Sequence, residues 1–184
     1  ILMTSLQFDI AHFLAGGMLV LSLALLYQDR ILVTLNVFAA QAVVLSLAVA
    51  WQAYVQGAWH LVVTAAVALV VKGFIVPAAL NRIVHRLGIH REIEQVIGAG
   101  PTMLTGLGLI ALSIMLVLPV NVGVSPLARE DLAFALAVIL LGLLMMITRR
   151  NAVTQIVGFM SLENGLILAA AGANGLVVGQ PPTG

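Results

Sequence analysis

The sequence predicts an all-α integral membrane protein with six transmembrane helices. Its residues are 62% hydrophobic and 8% charged, and its mean hydropathy is +1.16. Soluble domains carry about 25% charged residues, so this composition places the chain in a lipid bilayer. The apolar stretches are also close to the ~20 residues that a helix needs to cross a membrane. Transmembrane strands would instead show alternating segments of about 10 residues.

Six stretches meet this length criterion, at residues 9–27, 31–54, 59–84, 101–117, 132–147 and 151–173. Polar residues 28–30 end the first span, and residues 56–58 form the turn between the second and third. Residues 82–95, which include five charged side chains, form a polar loop after the third span.

The remaining boundaries have equally local causes. The fourth span begins at Pro101, because proline is favoured in the first turn of a helix. Residues 118–131 hold two prolines and three charged side chains and are predicted to form a loop. Arg149 and Arg150 separate the last two spans. Residues 175–184 are rich in glycine and proline and are not expected to continue a helix.

The arginines predict the orientation of the chain. Those at positions 30, 82, 86, 91, 149 and 150 fall on one side of the six-span layout, and only Arg129 falls on the other. By the positive-inside rule the arginine-rich loops are cytoplasmic and the N-terminus lies outside.

Two charged residues lie deep in the predicted spans. Lys72 is near the centre of the third span and Glu163 is at similar depth in the sixth. They divide the chain into an N-terminal three-helix portion (residues 1–100) and a C-terminal portion (residues 101–184). A charge at the bilayer centre costs ~2.5 kcal/mol or more, so we expect this pair to serve proton movement. The alternative is a structural ion pair with no transport role.

Polar neighbours extend the candidate proton path. Asn164 adjoins Glu163, and Gln155 lies two turns nearer the cytoplasmic side. His60 and His85 lie at opposite ends of the third span. They could relay protons at the two surfaces, although histidines at helix ends are more often interfacial.

Gly73 and Pro77 predict a break in the third helix beside Lys72. Proline has no N–H and clashes with the carbonyl four residues back, that of Gly73. Freed carbonyls and a flexible glycine near a buried charge suit a water-lined proton path.

Other residues are expected to serve packing. His12, Gln41 and Gln52 are predicted partners for interhelical hydrogen bonds, and Gly158 and Gly165 allow close helix approach. The chain has no cysteine, which excludes disulfides and thiolate-held metals or iron–sulfur clusters, and no metal site is expected elsewhere. A net charge of +1 gives no indication of a nucleic-acid partner.

The sixth span resembles a known family. The residues that carry the resemblance are Gln155, Gly158, Leu162, Glu163, Asn164 and Gly165, together with Lys72, Val76 and Pro77 in the third span and Phe38, Ala40 and Gln41 in the second. This pattern is similar to the E-type membrane subunit of hydrogenase-4 and formate hydrogenlyase-like complexes. The C-terminal part is also similar to the K-type subunit of respiratory complex I and the C-type subunit of Mrp antiporters.

The resemblance implies a non-catalytic membrane subunit of a complex-I-like [NiFe]-hydrogenase in a prokaryotic inner (plasma) membrane, with no cofactor of its own. The [NiFe] centre and iron–sulfur clusters would lie on a cytoplasmic hydrogenase-like arm. Antiporter-like large subunits and small K/C-type neighbours would be partners within the bilayer.

In that family Glu163 matches the first of two membrane glutamates that take part in proton movement. The family normally has a further helix after the sixth, so a seventh span missing from the C-terminus of this chain is expected. Two other functions stay open: a subunit of an Mrp-like cation/proton antiporter without a redox arm, and a structural membrane spacer whose charged pair only fixes helix register.

Overall fold

The computed structural model describes residues 2–89, 95–120 and 126–178, which form long helices joined by short turns. The helices are α1 (Leu2–Tyr27), α2 (Ile31–Gln56), α3 (Trp59–Ala68), α4 (Val76–Leu87), α5 (Ala99–Val120), α6 (Pro126–Thr148) and α7 (Ala152–Val178). A π-helical segment, Leu69–Ile75, joins α3 to α4, so the three together make one span, Trp59–Leu87. Six helices in the described part are long and apolar enough to cross a membrane, which confirms the predicted all-α, multi-pass architecture.

Helix α2 lies at the centre of the bundle. It packs against α1, α7 and the third span, and its Phe38, Leu45 and Val49 are fully buried. Helix α6 packs against α7, α5 and α1. The third span and α5 lie at the periphery, where apolar side chains such as Phe74 and Leu104 point outward. Such faces suit lipid or the helices of neighbouring subunits.

Glycines bring α6 and α7 into backbone contact. A Cβ atom on Gly142 would lie 2.7 Å from the backbone nitrogen of Leu162, and one on Gly165 would lie 3.0 Å from that of Ile139. A Cβ atom on Gly158 would lie 3.1 Å from the carbonyl oxygen of Gly142. Small residues allow this close approach of helices in membranes. The predicted packing role of Gly158 and Gly165 is confirmed.

Two predicted loops were too long. Residues 82–87 belong to α4, which ends at Gly88 in the left-handed region (φ 59°). Arginine side chains near a helix end can extend to the membrane surface, so their charge does not stop the helix. Helix α5 continues to Val120 with Pro119 inside it, and α6 starts at Pro126. Proline is tolerated in both places, because transmembrane helices accept it and the first helical turn needs no N–H donor.

The prediction for the C-terminal tail was wrong over residues 175–178, because α7 continues to Val178. Glycine disfavours a helix by about 1 kcal/mol in water. In a bilayer an unpaired backbone group costs more, so the helix persists through Gly175. Residues 90–94, 121–125 and 179–184 lie outside the described residues, and with them Arg91, Glu92, Glu94 and the rest of the tail.

Arginine side chains gather at one end of the bundle. The described ones are Arg30, Arg82, Arg86, Arg149 and Arg150, which follow or end α1, α4 and α6. Gln95 connects the ends of α1 and α6 here. Its Nε2 donates to Asp29 Oδ1 (2.8 Å), and its backbone pairs with that of Arg149. Arg129 lies at the other end, in the first turns of α6, and donates to the carbonyl of Leu118 (3.2 Å). This asymmetry is the one on which the predicted orientation depends.

Arg149 is buried at the arginine-rich end, with 1% of its surface exposed. Its Nη2 donates to the carbonyl oxygens of Leu26 (2.6 Å) and Leu25 (3.4 Å). The last carbonyls of a helix have no donor within the helix, so this side chain caps α1. Burial lowers the pKa of the Arg149 guanidinium, and the nearby Asp29 carboxylate acts in the opposite direction.

Candidate functional site

The backbone around Lys72 is wound as a π-helix rather than an α-helix. Over Leu69–Ile75 the helix is widened, and the N–H of Val76 donates to the carbonyl of Val71, five residues back. Pro77 follows in the first turn of α4 and has no N–H to donate. π-Helical turns are rare and occur frequently at functional sites. Lys72 therefore stands on a stretch of helix with irregular hydrogen bonding.

Lys72 reaches from this segment to α7. Its Nζ lies 3.0 Å from Glu163 Oε2 and donates to Asn164 Oδ1, also at 3.0 Å. Only 7% of the lysine side chain is exposed. Both helices are near their midpoints here, so the contact lies at the depth of the membrane centre. A charged lysine at that depth needs an opposite charge or polar partners, and this one has both.

A buried chain of hydrogen bonds leads from Lys72 into the bundle. Asn164 Nδ2 donates to Gln41 Oε1 (3.2 Å), and Gln41 Nε2 donates to Ser22 Oγ (2.8 Å) and Ser161 Oγ (3.0 Å). Gln41 and Asn164 are fully buried. The chain joins α1, α2, the π-helical segment and α7. Four spans are therefore held by polar contacts at one depth.

The two charged side chains are buried to different degrees within this chain. Its side chain is 44% exposed, whereas that of Lys72 is 7% exposed. Successive helical residues are rotated by about 100°, so with Asn164 pointing into the core its neighbour lies at the edge of the helix–helix contact. Glu163 and Lys72 line a lateral cavity of about 340 Å³, whose other walls include Thr64 and Val67. The carboxylate therefore faces a neighbouring molecule or lipid.

The two histidines of the third span are in different situations. His85 is exposed on α4 and lines a groove between α2 and α4, whose inner end is Gly73. His60 is exposed in the first turn of α3, and its carbonyl accepts a hydrogen bond from Thr64 (3.3 Å). Neither histidine has a recorded hydrogen bond to the Lys72 network.

Gln155 also lies outside the network. Its Nε2 donates to the carbonyl of Arg149 (2.8 Å) at the start of α7. This contact stabilises the turn between α6 and α7.

The three residues that were expected to form interhelical hydrogen bonds differ in their contacts. Gln41 of α2 forms hydrogen bonds with two other helices, α1 and α7, as predicted. His12 of α1 approaches α6, where its Nδ1 lies 3.4 Å from Glu130 Oε2. Gln52 was assigned wrongly, because it accepts a hydrogen bond from Gln56 of the same helix (2.8 Å), and it is Gln56 that reaches α7.

Sequence reasoning missed several polar residues near the site. Ser22 was not singled out, and Gln41 was assigned only a packing role. The available signal was a polar side chain within an apolar span, which applies to both residues. Asn36 and Asn81, which line the groove beside His85, could have been found in the same way.

The site offers proton-binding groups rather than metal ligands. In the part of the chain that the structure describes, no group of three histidine or carboxylate side chains is placed to hold a metal ion. What the arrangement provides is an amine and a carboxylate in contact, with amide and hydroxyl groups behind them.

Relatives are found among curated proteins. The chain is 29% identical over 164 residues to hydrogenase-4 component E of Escherichia coli (strain K12), an alignment that covers 88% of this chain and 75% of that protein. Hydrogenase-4 component E of Escherichia coli O157:H7 and of Shigella flexneri align with the same identity and coverage. No family profile and no solved structure matches the chain. The similarity of its C-terminal part to complex I and Mrp subunits stays a prediction.

Proposed function

The predicted resemblance to the E-type subunit of hydrogenase-4 is confirmed, and from it we propose that the chain is a non-catalytic membrane subunit of a hydrogenase-4-type complex. In this complex the Lys72–Glu163 pair and the hydrogen bonds behind it take part in redox-coupled proton translocation. The observation that carries the proposal is the 3.0 Å contact between an amine and a carboxylate on different helices at the depth of the membrane centre.

Glu163 is the proton-binding group of this proposal. It is the charged residue of the pair that is open to a neighbour, so a proton can reach it without unfolding the bundle. Protonation of the carboxylate removes the negative charge beside Lys72, and the ammonium is then left with neutral partners, the protonated carboxyl and Asn164. The energy of the buried lysine is therefore coupled to the protonation state of Glu163.

Lys72 is the movable positive charge. Changing a π-helical turn to an α-helical one shifts the register by one residue and rotates the side chain by about 100°. The π-helical segment gives Lys72 a backbone that can make this change locally, because its hydrogen bonds are already irregular. The amides of Asn164 and Gln41 carry no charge and hold the lysine in its inward position.

The complex supplies what this chain does not contain. The [NiFe] centre and iron–sulfur clusters belong to a hydrogenase-like arm, docked on the arginine-rich end, which faces the cytoplasm of the inner membrane. The N-terminus then lies outside. Antiporter-like large subunits and small K/C-type subunits are the neighbours within the bilayer, and one of them covers the exposed side of Glu163.

Replacing Glu163 tests the proposal. Glu163→Gln keeps the shape of the side chain but removes the proton site, so hydrogen-dependent proton uptake into inverted membrane vesicles should be lost while the complex still assembles. Glu130→Gln is the matched control, because Glu130 is similarly exposed (46%) but lies at the other end of the bundle beside His12. Full pumping by an assembled Glu163→Gln complex would refute a proton-carrying role.

A purely structural role for the pair is the second candidate, and the network itself favours it. Lys72 is held by both Glu163 and Asn164, as in a contact that fixes helix register. Replacing a whole buried ion pair by uncharged groups is often neutral for stability. If the role is structural, the double variant Lys72→Met/Glu163→Gln leaves assembly and proton translocation unchanged. The proposed function requires assembly without translocation.

A further inference from the structure

A groove of about 410 Å³ runs along the arginine-rich half of the third span, between α2 and α4. Its wall on the third span includes Gly73 of the π-helical segment and Pro77, Asn81 and His85 of α4, which recur every four residues and so lie on one face of the span. Asn36 stands on the opposite wall. We call this cavity the α2–α4 groove.

The groove reaches from the membrane surface to the depth of Lys72. From His85 to Gly73 it covers 12 residues, or about 18 Å at the helical rise of ~1.5 Å per residue. Half of a bilayer core is about 15 Å, so the groove spans one leaflet. At its inner end, a Cβ atom on Gly73 would make only an ordinary contact, with a side-chain carbon of Leu69 at 3.5 Å.

The side chains in this groove do not suit contact with hydrocarbon. Asn36, Asn81 and His85 are all exposed, and all three are hydrogen-bonding groups. A polar side chain turned towards lipid loses several kcal/mol of hydration, so residues of this kind line water or face protein. A surface used only for apolar packing would not bring these three polar side chains together in one groove.

The backbone adds an acceptor at the inner end. Pro77 has no N–H, so it cannot bond the carbonyl of Gly73, four residues back, or that of Lys72, five residues back. A carbonyl freed in this way at membrane depth is tolerated where it meets water or another donor. Lys72 is the residue next to Gly73, and its side chain points away from the groove towards α7.

We propose that the α2–α4 groove is the aqueous path by which protons reach Lys72 and Glu163 from the arginine-rich side. His85 lies at its mouth, where the ring nitrogens can form hydrogen bonds with water. Asn81 and Asn36 orient water along the middle. A volume of about 410 Å³ accommodates a file of water molecules, each of which takes about 30 Å³ in the liquid.

A second cavity lies beside Glu163, on the other half of the third span, with Thr64, Val67 and Val71 in its walls. Lys72 lines this second cavity, and the adjoining residue Gly73 lines the groove. The α2–α4 groove has three polar side chains among its lining residues, whereas the lining of the second cavity away from Lys72 and Glu163 is mostly apolar. Water therefore enters from the arginine-rich side, and the charged pair separates the two halves. This assignment rests on the proposed function.

Cysteine labelling tests the groove directly, because the natural chain contains no cysteine. Ala78 lines the groove, whereas its neighbour Ala79 is equally exposed but lies outside it. Ala78→Cys and Ala79→Cys differ little from alanine in size and stand at the same depth. A thiol reacts as the thiolate, which needs water. In native inverted vesicles holding the assembled complex, a charged, membrane-impermeant maleimide should modify Ala78→Cys at least ten times faster than Ala79→Cys, as read by mass spectrometry of this chain.

A second pair of positions, on α2, tests whether the difference in labelling rate belongs to the groove and not only to one site on α4. Asn36→Cys, on the facing helix, should also react, while Ala40→Cys, exposed one turn further along α2 but outside the groove, should not. Equal rates within each pair, or no labelling in any variant, overturns the proposal. Labelling of the isolated chain that disappears in the complex also overturns it, since a partner helix then fills the groove.

The labelling does not depend on turnover. If the groove cysteines are labelled as expected but the Glu163→Gln complex still pumps protons, the water path is supported and the proton-carrying role of Glu163 is refuted. If Glu163→Gln stops pumping while the groove stays unlabelled, only the path is wrong.

Discussion

Adding one methyl group at Gly142 should disturb the charged pair without altering any polar residue. A Cβ atom at Gly142 lies 2.7 Å from the backbone nitrogen of Leu162 and 2.9 Å from the carbonyl oxygen of Gly158. These are backbone atoms, so no side chain can rotate out of the way. Raising the shorter contact from 2.7 Å to an ordinary 3.4 Å moves α7 away from α6 by about 0.7 Å.

That displacement is large on the scale of the site. Asn164 lies two residues beyond Leu162 and moves with the helix, so the geometry of its 3.0 Å bond to Lys72 is disturbed by a shift of up to about 0.7 Å. Overpacking of this kind costs about 1–3 kcal/mol. For a chain of this size, each kcal/mol lowers Tm by about 2–4 °C. We therefore expect Gly142→Ala to unfold at lower temperature and to translocate fewer protons per electron.

The assay is heating of the detergent-purified complex followed by size exclusion, together with proton uptake in vesicles. Gly172→Ala is the control, because it lies on α7, gains the same helix propensity, and its Cβ has no neighbour within 4 Å. If Gly142→Ala matches Gly172→Ala in both Tm and proton uptake, the α6–α7 contact does not position the site.

Two further substitutions, at Gln41 and Arg149, test whether the buried hydrogen bonds of these side chains stabilise the protein. Gln41→Leu leaves Asn164 without its acceptor inside the core, so it should destabilise the chain by about 1–3 kcal/mol and reduce proton translocation, as measured by Tm and vesicle uptake. Arg149→Met removes the charged cap from the carbonyls of α1 and should cost about 1.5–3 kcal/mol, whereas Arg150→Met, on an exposed side chain, should leave Tm unchanged. Equal Tm values for the two arginine variants would show that the cap contributes nothing.

Hydropathy and charge placement were sufficient to predict the spans. Each of the six predicted segments corresponds to an observed helix, because a bilayer admits few alternatives to a continuous apolar helix of adequate length. The errors lie at helix ends. Polar residues 82–87 and the glycine at position 175 suggested termination, yet helices continue through them, since the backbone must stay paired near the membrane whatever the side chain.

The candidate site was predicted only in part. Lys72 and Glu163 were identifiable because intramembrane charges are rare. Their contact was not, since a hydropathy pattern does not say which faces of two helices meet. Gln41 and Ser22 joined the site only when α1, α2 and α7 were packed together.

By itself the sequence determined that the described part of this protein has six helices long and apolar enough to span a membrane, that most of its arginines lie at one end and that two opposite charges lie at depth, because each of these follows from composition along one dimension. The tertiary structure alone decided that Lys72 is inside while Glu163 lies at the rim, and that polar groups line a groove whose inner end is Gly73, the residue next to Lys72. These facts depend on the rotation of each helix about its axis, which the close α6–α7 contact and the π-helical segment set.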